Sequence, residues 1–397
     1  MRTKALATIE AKFWMPALGQ YAFALLEDGS VNPNVTAWAA TAMAFAVLDP
    51  VRGAEMATKL ASSSIMTDWG ARPLSAASTQ FDPLHYNNGA VWPFVTGFTA
   101  LAQYTYHNAN AGKFALDAIA RTGFDFSLGR NPEVLSGRLY KPLDTAVPHQ
   151  FFATSMVLTP LIRGLFGIDV DAPRRKVTIA PHLPPDWDTV SVFGVPVGAD
   201  RLSFTLTRDD SSYVIAPVLG SGLPHRLGAP GSSSPTPIEL EFSPALPLGA
   251  TASRPEADIH GTPGDVHATV RARISGGSDT LRITYRGGWS IMPAEVFGPI
   301  PGARSGKARV VNERMVEGSY TVTLEGLAGH AAGFLFTPPD GDEAAQPQFR
   351  TTAGASVQMN RPTAGSRTRF LTVTFPSTGA NADGFSTTTV TFPRSAP

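Results

Sequence analysis

The sequence predicts a multidomain α plus β chain, with helical hairpins over residues 1–168 and an all-β sandwich region over residues 169–397. Three observations predict it. Apolar residues recur at helical spacing through the first part. From Arg174 onward short alternating or β-branched runs replace them. Clusters of Pro, Gly and Ser punctuate the second part, as they do between strands. A length of 397 residues suits two or more domains, and 43% hydrophobic residues suffice for a core.

The elements follow in order. Lys4–Phe13 reads as the end of a helix, and Tyr21–Leu26 with the Asp28-Gly29 turn and Val31 as a small hairpin. Thr36–Leu48 carries Trp38, Ala42 and Phe45 at helical spacing, and Asp49-Pro50 stops it. Arg52–Ile65, Trp92–His107, Lys113–Leu128 and His149–Phe166 continue the helical pattern, for a count of about six. Gly167 ends the last of them. Strands are predicted at Lys176–Ile179, Val190–Phe193, Leu202–Thr207, Tyr213–Pro217, Ile238–Phe242, Ala268–Ile274, Thr280–Tyr285, Tyr320–Leu324, Arg369–Phe375 and Thr387–Phe392. Residues 220–237 read as a mobile loop, and 340–348 as a linker.

Composition excludes several functions. Lys plus Arg and Asp plus Glu number 32 each, so no charge excess points to nucleic acid or an anionic membrane. Cysteine is absent, which removes disulfides and thiolate chemistry. No apolar run is long enough to span a bilayer, and the start of the sequence lacks the apolar stretch of a signal peptide, so the compartment stays unread.

The densest chemistry lies in Phe81–Phe94, FDPLHYNNGAVWPF. Asp and Asn fix hydroxyl groups, aromatic rings cover the apolar face of a sugar, and Gly allows close backbone approach. Pro93 suits the first turn of a helix, so the segment reads as a polar loop feeding a helix.

Three motifs in this order resemble the six-hairpin glycoside hydrolases, near the glycogen-debranching (amylo-α-1,6-glucosidase) and mannosylglycerate-hydrolase-like families. They are Thr67–Ser75 (TDWGARPLS), His85–Phe94 (HYNNGAVWPF), and Asn131–Gly137 (NPEVLSG) followed by Pro148-His149-Gln150. Ala180–Trp187 (APHLPPDW) is similar to the lead-in to those families' C-terminal sandwich. The resemblance covers most of residues 1–200. It implies a partial (α/α)6 toroid in the first part, with about half the helices of a complete barrel. It also implies an oligosaccharide or polysaccharide substrate, α-glucoside-like, cleaved with inversion. The families' general acid lies in an N-terminal half for which no matching segment exists here. The chain is therefore expected to be the C-terminal portion of a longer enzyme, with that half as its partner, and its helices to show bare apolar faces. One departure is Phe151-Phe152-Ala153, where the families carry a small residue, an aromatic and a Ser.

Glycoside hydrolysis by inversion uses two carboxyl groups roughly 6.5–9.5 Å apart, one of which activates water. The resemblance places the general base at Glu133. An ordinary helix-start turn with a solvated acid is the alternative reading of Asn131-Pro132-Glu133. Substrate contacts are assigned to Asp68, Trp69, Arg72, His85, Tyr86, Asn87, Asn88, Trp92 and Gln150. Several have a plainer role open to them: turn acid for Asp68, core packing for Trp69 and Trp92, a surface ion pair for Arg72, a histidine satisfied within the fold for His85, a turn former for Asn88. A non-catalytic carbohydrate-binding or scaffolding module is the rival function. No cofactor is implied. The histidines at 182, 225, 260 and 267 show no metal-ligand spacing. Gly306-Lys307 fails as a phosphate loop, because Ala308 follows and Pro301 stands where the upstream Gly is needed.

Overall fold

The computed structural model describes residues 2–221, 235–252, 258–262, 265–277, 280–294, 298–339, 347–360 and 367–393. Most of the predicted loop at 220–237 and linker at 340–348 falls outside them. The described α-helices are α1 (Arg2–Lys12), α2 (Ala39–Met43), α3 (Pro50–Ala61), α4 (Pro93–Thr105), α5 (Ala109–Asp125) and α6 (Phe151–Pro160), the last running into a π turn at Leu161–Leu165.

The fold is mostly β, with 37% strand against 21% helix and many small sheets. This corrects the expected partial (α/α)6 toroid followed by a sandwich. A toroid is built from helices paired through short connections. Here only α4 and α5 are joined that closely. Residues 62–92 and 126–150, which separate α3 from α4 and α5 from α6, hold irregular backbone and a two-residue ladder, Met66–Thr67 with Gly70–Ala71. The predicted helix at 36–48 shrinks to α2, and Ala46 takes a left-handed φ of 51° beyond it.

Local chemistry explains where the remaining helices begin. Asp49 caps α3, its carboxylate accepting from the amides of Val51 and Arg52, with Pro50 in the first turn. Such a cap stabilises a helix by about 1 kcal/mol. Pro93 likewise stands in the first turn of α4, which has no side-chain cap. On α6, Phe151 (79% exposed), Leu158 (55%) and Ile162 of the following turn (43%) face outward.

Four larger sheets carry the β content. One is antiparallel, in the order 251–252, 281–286, 212–221, 200–208, 189–197. Along Asp200–Arg208 alternate residues Leu202, Phe204 and Leu206 point inward, paired with Leu219, Pro217 and Ile215. The next sheet contains a parallel pair, Lys176–Ile179 beside Ile238–Phe242, and the long strand Asp265–Ile274. Its core residues merge with those of the helices: Met56, Leu60, Val95, Tyr104 and Leu116 share one apolar cluster with Phe204, Leu240 and Phe242. The two four-stranded sheets enclose a second core, where Trp289 stacks on Tyr320 with centroids 5.4 Å apart and rings 3° from parallel. Polar ties join this region to the helices. Asn108 Nδ2 donates to the Val311 carbonyl at 2.8 Å, and Asn312 Nδ2 to Thr58 at 2.7 Å.

Among the described residues no helix is long and apolar enough to cross a membrane.

Candidate functional site

Two loops build the site. The first, residues 81–92, is folded by its own side chains. His85 Nδ1 accepts from the amides of Asn87 and Asn88 at 3.2 Å each, and the Asn88 carbonyl accepts from Asp82 N. A Cβ on Gly89 would stand 2.3 Å from the Asp82 carbonyl oxygen, so the turn requires glycine. The second loop runs from Asn131 to Gln150. Asn131 anchors it, donating to the Ile119 carbonyl and to Thr122, while its own carbonyl accepts from Gln150 N.

Backbone bonds lock the loops to each other. Val91 and Leu135 exchange both amide bonds, at 2.7 and 2.9 Å, and Gly137 N donates to the Pro83 carbonyl. Gly137 has no room for a side chain, since a Cβ would come within 2.1 Å of the Gly89 carbonyl oxygen. This clamp presents Tyr86 to Glu133. The phenol donates to Glu133 Oε1 at 2.5 Å, and Val147 N donates to Oε2 at 3.3 Å. Trp92 supports Tyr86 from below, its ring edge-on with centroids 4.4 Å apart and its Nε1 donating to the Tyr86 carbonyl. Tyr86 is 39% exposed, so the group sits on open surface.

Burial, followed by the hydrogen bond to Glu133, raises the Tyr86 phenol from 10.0 to about 12. A raised pKa means the neutral phenol is favoured in the fold. Its contribution to stability is therefore complete below pH ~10 and is lost as pH rises through the folded value. Absorbance titration of the phenolate should show Tyr86 ionising near 12 in the parent and lower in Glu133→Ala, which removes the acceptor and its charge while burial, the larger cause, remains; an unmoved titration would show that Glu133 does not hold it.

Of the residues assigned to substrate, Tyr86 and Trp92 contact one another and Tyr86 contacts Glu133. Gln150 caps α6 at the far end of Glu133's loop, and His85, Asn87 and Asn88 form the turn that carries Tyr86. Three others lie apart and inside. Trp69 is fully buried and donates to the Ser136 carbonyl. Arg72, 1% exposed, donates to the carbonyls of Gly137 and Ser63 and pairs with Asp383 at 2.8 Å. Asp68 accepts from Ser305 Oγ, from the amides of Gly306 and Lys307, and from Arg309. The Gly306-Lys307 amides that resembled part of a phosphate loop thus hold an internal carboxylate. Trp69 and Arg72 thus support the 131–150 loop from inside, while Asp68 lies toward residues 305–309.

A cavity of about 430 Å³ opens elsewhere, between α5 and the sheets, with Lys113, Asp117, His182, Arg208 and Trp289 in its wall and no residue of either loop. Nearby, His107, His182 and His267 come together, with ring nitrogens within 4.8 Å of one another. Sequence spacing gave no sign of this group, because each histidine arrives alone from a different element.

No protein-family model matches the chain, and no curated protein matches it.

Proposed function

We propose that the chain acts on saccharides, with Glu133 as the general base of an inverting glycoside hydrolase and Tyr86 and Trp92 as its aromatic sugar contacts. The observation that carries this reading is the Glu133 carboxylate fixed at the surface by Tyr86 at 2.5 Å. A base must reach its water within hydrogen-bonding distance, and an exposed, oriented carboxylate can do so. The half-exposed Tyr86 ring beside it offers a face for the apolar side of a pyranose. The order of the motifs around Tyr86 and Glu133 adds the glycosidase resemblance. Hydrolysis also needs a general acid, and none of the contacts at the Tyr86–Glu133 pair supplies one.

A second reading is carbohydrate binding without turnover. The contacts of the Tyr86–Glu133 pair favour it, since they include no second carboxyl group to serve as the acid.

The test is NMR of the first-formed product anomer when the purified chain is given an α-glucosyl fluoride, whose fluoride leaves without help from a general acid, so that only the base is tested. The expected product has the opposite anomeric configuration to the substrate. Retained configuration would remove Glu133 as a base acting on water. Saturable binding with no product would favour the binding reading, and neither binding nor product would discard both.

A further inference from the structure

We propose that His107, His182 and His267 form a binding site for one divalent transition-metal ion of the zinc class, independent of the saccharide reading. The three residues come from distant parts of the chain. His107 follows the end of α4, His182 lies in the APHLPPDW segment, and His267 is on the strand Asp265–Ile274. Only eight histidines exist in 397 residues, and three converge here. Their ring centroids are 5.2–5.8 Å apart, and their ligating nitrogens lie within 4.8 Å of one another.

The ring orientations suit ligation. His267 Nδ1 faces the Ser243 carbonyl at 2.7 Å. A carbonyl can only accept, so Nδ1 carries the proton and the lone pair lies on Nε2. A bond from the other ring nitrogen to a carbonyl fixes the tautomer of metal-binding histidines. His182 Nδ1 lies 3.4 Å from the Gly164 carbonyl, a longer contact of the same sense. A tetrahedral ion with bonds of about 2.0–2.1 Å would set the nitrogens about 3.3 Å apart, so closure requires shifts of about an ångström, within reach of small side-chain rotations.

His107 has a φ of +59°, at the left-handed turn that ends α4, a conformation histidine and asparagine both tolerate. A set of neutral imidazoles selects Zn²⁺, Co²⁺, Ni²⁺ or Cu²⁺ over Mg²⁺ or Ca²⁺, which take oxygen ligands. Three protein ligands leave a tetrahedral ion one further position. His182 also belongs to the wall of the 430 Å³ cavity, which places the cluster beside it. An open position of this kind is the arrangement zinc has where it binds water or a substrate group.

The experiment uses the full chain, stripped with a chelator and titrated with Co²⁺, then with Zn²⁺. We expect one Co²⁺ per chain with visible d–d absorption, displacement by Zn²⁺, and a Tm that rises with Zn²⁺ concentration. His107→Asn keeps a residue that tolerates the left-handed backbone, so circular dichroism should be unchanged while affinity falls at least ~100-fold, beyond the ~10–100-fold cost of losing an outer-shell partner. His182→Gln is the second variant, with the same expected loss, and His330→Ala on the exposed surface is the control that keeps affinity. No stoichiometric Co²⁺ uptake, or equal affinity in folded His107→Asn and the parent chain, overturns the site.

Discussion

Glu133→Gln is expected to reduce hydrolysis by about 10²–10⁴-fold while leaving saccharide affinity within a few-fold of the parent. The expectation follows from what the substitution preserves. Glutamine has nearly the shape of glutamate, and its carbonyl oxygen can accept from Val147 N while its amide donates to the Tyr86 hydroxyl oxygen, which can accept as well as donate. The loop bond between Glu133 N and the Val147 carbonyl at 2.9 Å uses backbone atoms only. The site's shape therefore survives and only the capacity to take a proton from water is lost. A general base contributes through that capacity, so kcat should fall and KM should hardly move. If turnover in Glu133→Gln stays within threefold or so of the parent, Glu133 is not the base.

The largest stability effect should come from Asp68→Ala, at about 3–5 kcal/mol, measured by urea denaturation. Asp68 and Arg309 have side chains 3% and 1% exposed, paired at 3.1 Å. Arg309 is boxed between the rings of Phe114 and Phe385, at 4.6 and 4.9 Å from their centroids, and donates to the Met66 carbonyl. Removing the carboxylate leaves that guanidinium buried without its counter-charge. It also frees the amides of Gly306 and Lys307, bonded to Asp68 at 2.7 and 3.0 Å. Gly306 is exposed and Lys307 half-buried, so water can take up these donors and the ion-pair term dominates. The double variant Asp68→Leu with Arg309→Met should be less destabilised than Asp68→Ala, because both charges leave together. A loss in Asp68→Ala below about 1 kcal/mol would mean that water reaches the pair in solution.

Some of this was legible in the sequence and some could not have been. The FDPLHYNNGAVWPF loop marks itself, since its chemistry is local: Asn88-Gly89 turns, Pro93 starts α4, and Trp92 lies six residues from the Tyr86 it supports. Strands with clean alternation, such as Ile238–Phe242 and the Leu202–Thr207 stretch, also announced themselves. Arg309–Val316, with the run RVVNERMV, did not, because its buried positions are consecutive. Helical spacing identified α3, α4 and α5 but says nothing about what lies between them, and the toroid failed on residues 62–92 and 126–150. Asp68 and Arg72 were read as substrate ligands from neighbouring residues. Their partners, at Arg309 and Asp383, lie hundreds of positions later. The histidine cluster is a product of tertiary folding alone.

The reciprocal Val91–Leu135 bonds and the glycine contact between residues 89 and 137 have a kinetic meaning. The segments carrying Tyr86 and Glu133 are tied together at these points. On the proposed reading, a sugar meeting this surface would find its contacts preassembled, and little conformational entropy would be lost on capture. Association should then follow a single concentration-dependent phase, without a slow isomerisation step to gate it.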